Sequence, residues 1–276
     1  MVKVHLLGTG TPILDASRCG SGTAISTPDG WVLVDCGRGV TQRVAQAGLE
    51  LDRLLAVLLT HHHSDHVSDL STLAIARWSE SSVNEPLVVV APEGPCARFA
   101  RDCLLAFADP AFYAQADPGA GARPAIDARS FDATDEPSNT AVIGPFDVSS
   151  VLVAHHPIEA AVGYRVEIGS TSVVISGDTA ACSGIEELAS GTDLLIHEAL
   201  LGGSVRPQLL EWNASAESVG ALADRADAKR LVLSHLLPPP NDCESEEQFA
   251  ADARSGGYLG PIEVARDLMT IELAHH

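Results

Sequence analysis

A layered α/β protein is the fold class that this sequence predicts, and two observations predict it. Short apolar runs rich in Val and Ile alternate with stretches of helical periodicity along the chain, and no low-complexity segment breaks the alternation. The composition, 46% hydrophobic and 20% charged over 276 residues, is ordinary for a folded globular chain and excludes disorder and fibre. At about 150 residues per average domain, the length suits one large α/β unit or a little under two domains.

Taken in order, the apolar runs predict strands at Val2 to Leu7, Trp31 to Val34, Leu54 to Leu59, Leu87 to Val90 and Asp147 to Val153. They continue at Tyr164 to Ile168, Ser172 to Ile175, Leu194 to Ile196, Leu231 to Leu233 and Met269 to Leu273. Each run is too short and too rich in β-branched residues for a buried helix. Helices are expected at Val40 to Ala47, Val67 to Arg77, Cys96 to Phe107, Ala216 to Ala226 and Glu246 to Ala253. Ser215 is a suitable N-cap for the fourth, with Glu217 placed early against the helix dipole. From Ala108 to Thr140 the chain is rich in Ala, Pro, Gly and Asp with little periodicity, which predicts an irregular insertion or lid.

The charge excludes some partners more firmly than others. Seventeen basic residues against 37 acidic ones give a net charge of −20, and the basic residues do not cluster, so nucleic acid is a disfavoured partner. Aromatic residues, at 4%, leave few platforms for stacking bases. No apolar run approaches the roughly 18–20 residues of a membrane span, and MVKVHLLGTG lacks the apolar length and positive charge of a signal peptide. A cytoplasmic protein without a membrane partner is expected. Cys19, Cys36, Cys96, Cys103, Cys182 and Cys243 include no C-x-x-C pair, so they read as reduced thiols rather than as a zinc site or disulfide scaffold. His275 and His276 resemble a tag remnant and are left out of site reasoning.

The strongest chemical signal is Thr60-His61-His62-His63-Ser64-Asp65-His66, directly after the apolar run LLAVLL. In an extended segment residues i and i+2 share a side, so His61 and His63 can converge on one ion. Asp65 and His66 follow where a helix begins and can face a second ion. Imidazole and carboxylate suit zinc, manganese or iron. The same grammar recurs: VLVA precedes His155 and His156, VVIS precedes Gly177-Asp178-Thr179, LLI precedes His197-Glu198, and LVLS precedes His235. Polar ligands at strand ends are where layered α/β proteins build sites.

These motifs resemble the metallo-β-lactamase-fold hydrolases. The H-x-H-x-D-H pattern is complete at His61, His63, Asp65 and His66. LLGTGTP (Leu6 to Pro12), DCGRG (Asp35 to Gly39), GYR (Gly163 to Arg165), SGDT (Ser176 to Thr179), LLIHE (Leu194 to Glu198) and LVLSHL (Leu231 to Leu236) are similar to the ribonuclease Z-like branch, which includes phosphodiesterases and arylsulfatase-type enzymes. The resemblance spans nearly the whole chain. It implies a single domain over 1–276 with a four-layer αββα sandwich of two similar halves, about 1–145 and 146–276, and a metal site at the edge of the two sheets. It also implies one divalent metal on His61, His63 and His155, a second on Asp65, His66 and His235, and Asp178 bridging both. His156 fits a shorter version of the same loop and stays open as an alternative to His155. Zinc is the favoured ion, with manganese and iron allowed, and a homodimer is expected by resemblance.

Such a pair of ions implies a bridging hydroxide as nucleophile, oriented by Asp65, which acts as ligand and acceptor at once. In tRNA-processing members of the branch a Glu and a later His together help protonate the leaving group. Glu198 matches the Glu as a catalytic residue, but the later loop reads Asn213-Ala214-Ser215-Ala216, and an amide cannot deliver a proton as imidazolium does. That departure, with the acidic surface, points to a small ester-type substrate: a phosphodiester, a sulfate ester or a lactone. A ribonuclease Z-type tRNA 3′-end endonuclease is the first alternative, and a metal-binding scaffold or sensor without turnover is the second.

Overall fold

Side-chain alternation decides which face of each strand is covered, and in this chain both faces are covered on most strands. The computed structural model describes residues 1–80, 85–109, 123–240 and 242–274. The expected strands all form: β1 (Val2–Gly8), β3 (Gly30–Val34), β4 (Leu54–Leu58), β5 (Leu87–Pro92), β8 (Phe146–Leu152), β9 (Val162–Ile168), β10 (Thr171–Ile175), β11 (Leu194–Leu200), β12 (Leu231–Leu237) and β14 (Met269–Leu273). Four more join them, β2 (Gly22–Thr27), β6 (Ile126–Phe131), β7 (Ser138–Ile143) and β13 (Ile262–Val264).

They build two seven-stranded sheets, in the orders β14-β1-β2-β3-β4-β5-β6 and β13-β12-β11-β10-β9-β8-β7. The runs β3-β4-β5-β6 and β10-β11-β12-β13 are parallel, and the remaining pairs are antiparallel. Between the sheets lies one apolar core that takes Val32, Val34 and Leu58 from the first and Phe146, Tyr164, Val173 and Ile196 from the second. The alternate residues Trp31, Leu33 and Leu59 turn outward to meet helices α1 (Val40–Gln46), α3 (Leu70–Glu80) and α4 (Pro95–Asp102). On the other outer face Leu195 and Leu233 meet α5 (Ser183–Leu188), α6 (Ala216–Arg225) and α7 (Cys243–Ser255). The result is the expected four-layer αββα sandwich, and no described helix is long and apolar enough to cross a membrane.

Local chemistry explains where the elements differ from expectation. Ser215 caps α6 as expected, accepting the Ser218 N–H. Helix α7 starts earlier than expected because Asp242 and Ser245 form a reciprocal capping box. The helix expected at Val67 to Arg77 is split into a single turn, α2 (Ser64–Val67), and α3. The one expected at Cys96 to Phe107 ends at Asp102, followed by a 3-10 turn at Leu105–Phe107. Of the segment expected to be irregular, 110–122 lie outside the described residues, whereas Ile126–Phe131 is a strand paired in parallel with β5. Its sequence, IDARSF, conceals this because β6 is an edge strand with no fully buried residue, so no apolar run marks it.

Two hydrogen bonds join the layers beneath the strand ends. Tyr164, fully buried on β9, donates its hydroxyl to the Leu59 carbonyl at 2.8 Å, and the Val162 N–H donates to the Thr60 carbonyl at 3.1 Å. Tyr164→Phe is therefore expected to cost about 1–3 kcal/mol, the penalty for a buried acceptor left short of its donor. Urea unfolding would show this as a lower midpoint with an unchanged slope; an unshifted midpoint would contradict it.

Candidate metal centre

The carboxyl ends of the parallel strands place the polar residues. Beyond β4 the chain bends at Thr60, runs through His61 to an extended His63, then enters α2 with Asp65 and His66 in its single turn. His61 and His63 share a side, with His61 Nε2 and His63 Nδ1 3.0 Å apart. From the second sheet, His155 Nε2 comes within 3.3 Å of the same His63 nitrogen. Asp178, which follows β10 through the left-handed Gly177 (φ 61°), puts Oδ2 3.9 Å from both His61 Nε2 and His155 Nε2.

The second oxygen of Asp178 serves a different group. Oδ1 lies 3.2 Å from His66 Nε2 and 3.5 Å from His235 Nε2, while Asp65 Oδ2 is 3.1 Å from His235 Nε2 and 3.6 Å from His66 Nε2. Two donor sets result, His61, His63, His155 and Asp178, and Asp65, His66, Asp178 and His235, each with its atoms within 4.8 Å of one another. All seven residues named from the sequence are gathered here. His156 is exposed and belongs to neither set.

His235 reaches the site by a local irregularity. The β11–β12 register pairs Glu198 with Ser234 but Ala199 with Leu236, so His235 is the extra residue of a bulge, with φ 47°. A bulge re-aims one side chain without ending the strand. Below Asp65 the backbone is held close: the Ser21 N–H donates to the Asp65 carbonyl at 2.8 Å, and a Cβ on Gly37 would lie 1.8 Å from that oxygen. Glycine at 37 leaves room for the loop.

A layer of polar contacts behind the donors sets their ring orientations. Asp35 accepts from the Thr60 N–H at 2.8 Å and from the Thr60 hydroxyl at 2.9 Å. The hydroxyl's only proton is thus committed, so His61 Nδ1–H donates to Thr60 Oγ1 at 3.0 Å and His61 Nε2 keeps a free lone pair. His66 Nδ1–H donates to Asp35 Oδ2 at 2.7 Å, and His155 Nδ1–H donates to the Trp212 carbonyl at 3.1 Å. A carboxylate or carbonyl behind a histidine is the usual way to fix the tautomer of a metal ligand. Asp35, at φ 62°, holds a left-handed conformation that costs a non-glycine residue on the order of 1–2 kcal/mol, which its three hydrogen bonds offset. The DCGRG motif alone assigns Asp35 no role; its place directly after the apolar run Trp31 to Val34 is the signal in the sequence.

Electrostatics fits a cationic occupant. Burial pushes His61 well below the usual imidazole range, so it is neutral. Burial also opposes charge on His66, but Asp178 and Asp35 outweigh it and raise His66 well above that range. Burial works against ionisation of Asp178 too, yet His235, His66 and His61 hold its carboxyl well below the usual value. His66 Nε2 and Asp178 Oδ1 are buried and have no hydrogen-bond partner. Converging lone pairs, a shared carboxylate and two unpartnered buried atoms suit divalent cations, which take nitrogen and oxygen donors of this kind.

Glu198 sits on the far side of His235. Its Oε1 accepts the Thr179 N–H, and its Oε2 faces His235 Nδ1 at 3.9 Å, away from the donor sets. Burial first, then Asp178, raises its pKa well above the carboxyl range. Asn213 donates its side-chain amide to the Leu209 carbonyl at 3.0 Å. Buried His197 donates Nδ1–H to the Glu198 carbonyl, and burial pushes its pKa down to about 4, so it is a neutral interior group.

Comparison with known proteins agrees with this geometry. Residues 30–236 match the family described as Beta-lactamase superfamily domain. The chain is 35% identical over 285 residues to Ribonuclease Z of Mycolicibacterium paratuberculosis (strain ATCC BAA-968 / K-10), covering 99% of both chains. It is 35% identical to Ribonuclease Z of Mycobacterium sp. (strain KMS), covering 99% of this chain and 96% of the relative. Among solved structures, the metallo-β-lactamase-fold protein YhfI from Bacillus subtilis superposes with a TM-score of 0.77 at 21% identity, over 99% of this chain and all of the other. Human tRNase Z, short form, superposes with a TM-score of 0.73 at 20% identity, again over 99% and 100%. The chain belongs to the metallo-β-lactamase superfamily of metal-dependent hydrolases. Within that superfamily it stands on the ribonuclease Z-like branch.

Proposed function

We propose that this protein is a dinuclear RNA endonuclease of the ribonuclease Z type, cleaving a phosphodiester on the 3′ side of precursor tRNA. The division of Asp178 between two donor sets carries the dinuclear part of the reading. The substrate part is supported by relatives named Ribonuclease Z that match nearly end to end. The small ester expected from Asn213 and the acidic surface has no such support, and an arylsulfatase-type activity has none either. Exposed Arg98 on α4 offers one local cation for a phosphate chain; together with burial, its charge lowers the pKa of His62 in the ligand loop.

His61, His63, His155 and Asp178 would hold one divalent cation, and Asp65, His66, His235 and Asp178 the other, zinc being the favoured ion. Bound there, such cations lower the pKa of water and neutralise charge developing on the scissile phosphate. Thr60, Asp35 and Trp212 keep the imidazoles aimed inward. Asp65 presents a carboxylate oxygen beside His66 and His235, where it can accept a proton from an attacking water. Glu198 stands behind His235, its Oε2 3.9 Å from His235 Nδ1 and without a hydrogen-bond partner. Asn213 has no proton to give, so the departing oxygen takes its proton from solvent.

The test is to incubate zinc-loaded protein with precursor tRNA carrying a 3′ trailer, beside panels of bis-aryl phosphate, aryl sulfate and lactone. Trailer removal that stops with a chelator is expected. Intact precursor beside brisk hydrolysis of a small ester would overturn the RNA reading and restore the small-ester one.

A further inference from the structure

Asn213 touches none of the donor atoms, yet it controls the peptide that stands behind one of them. Its backbone N–H and its side-chain Nδ2 both donate to the Leu209 carbonyl, each at 3.0 Å. These bonds fasten Asn213, two residues beyond the 3-10 turn Pro207–Glu211, back onto that turn. The peptide unit between Trp212 and Asn213 is planar, so its N–H and its C=O point in opposite directions. The N–H of that unit is bonded to Leu209, and its C=O accepts His155 Nδ1–H at 3.1 Å. Downstream the chain is pinned as well: the Ala214 carbonyl accepts the Leu200 N–H at 2.9 Å, and Ser215 caps α6. The Asn213 side chain is thus a second clamp on the one peptide plane whose direction decides which nitrogen of His155 carries the proton.

We propose that Asn213 is a positioning residue of the metal centre: by fastening the Trp212–Asn213 peptide to Leu209, it aims the Trp212 carbonyl at His155 and keeps His155 Nε2 free for a metal ion. The inference rests on the reading of His155 as a ligand. It gives a structural purpose to an amide that contributes nothing as an acid.

Zinc titration of the metal-free protein, followed by calorimetry, tests it. Asn213→Ala and the near-isosteric Asn213→Asp both lose the amide donor. Each is expected to weaken zinc binding at one of two sites by about tenfold, the low end for loss of a supporting contact behind a metal-bound histidine, and to leave the other site unchanged. Asn213→Ser should recover most of the loss, because a serine hydroxyl can bond the carbonyl four residues back. Wild-type affinity at both sites in the Ala and Asp variants would overturn the inference, as would equal weakening of both sites or a failure of serine to rescue. His155→Ala is the control for the underlying reading. If it still binds two zinc ions with wild-type affinity, the ligand assignment itself is wrong; if it loses a site while the Asn213 variants behave as wild type, only the present inference falls.

Discussion

Asp178→Ala is expected to lower hydrolysis at least about a thousandfold, equivalent to ~4 kcal/mol of transition-state stabilisation, and to reduce bound metal below two ions per chain. The size follows from geometry. Asp178 is the one residue common to both donor sets, with Oδ2 toward His61 and His155 and Oδ1 toward His66 and His235. Its removal leaves Asp65 as the one carboxylate in the two sets, which would then carry alone the negative charge available to two cations. Asp178→Asn keeps the volume and loses the charge, so its defect should fall between wild type and alanine. Metal analysis of the purified variants and the turnover number together give the result; near-normal turnover with full metal content would contradict a shared ligand.

The second large effect is expected at Asp35, which no ion would touch. Asp35→Ala should lower folding stability by about 3–5 kcal/mol, the range for taking one partner from a buried, hydrogen-bonded charged group. It should also weaken zinc binding about 10- to 100-fold. Three donors lose their acceptor at once: the Thr60 N–H, the Thr60 hydroxyl and His66 Nδ1–H. Thr60 would then be free to spend its proton on His61 Nδ1, which reverses the tautomer that leaves His61 Nε2 available. Chemical denaturation and zinc titration measure the two parts separately. A stability loss under 1 kcal/mol with unchanged zinc affinity would show that Asp35 organises nothing.

The donors were legible because each announces itself in one dimension. His61 and His63 alternate on an extended segment, and Asp178 and His235 each follow a run of apolar residues that only a buried strand explains. The fold was legible for the same reason, since β3, β4, β10, β11 and β12 are largely covered on both faces and each carries a continuous apolar run (WVLV, LLAVL, VVI, LLI and LVL). Two edge strands gave no such signal: β6 exposes Ser130 and Arg129, and β13 is three half-buried residues long. The orientation of the rings was beyond any pattern of residues. It depends on the bulge at His235, on the left-handed turn at Asp35, and on a backbone carbonyl at Trp212 that carries no side-chain signature. The small-ester substrate drawn from Asn213 has less support than the ribonuclease Z alternative, and the hydrogen bonds of Asn213 are those of a turn.

Asp65 and His235 meet across 170 positions of chain, and each donor set draws on strands from both sheets. Neither sheet alone can assemble a complete set of ligands. A complete donor set would therefore form only once the two layers have closed on Tyr164 and its neighbours. A nascent or half-made polypeptide would scavenge metal poorly, and catalytic competence would arrive together with the finished tertiary structure rather than before it.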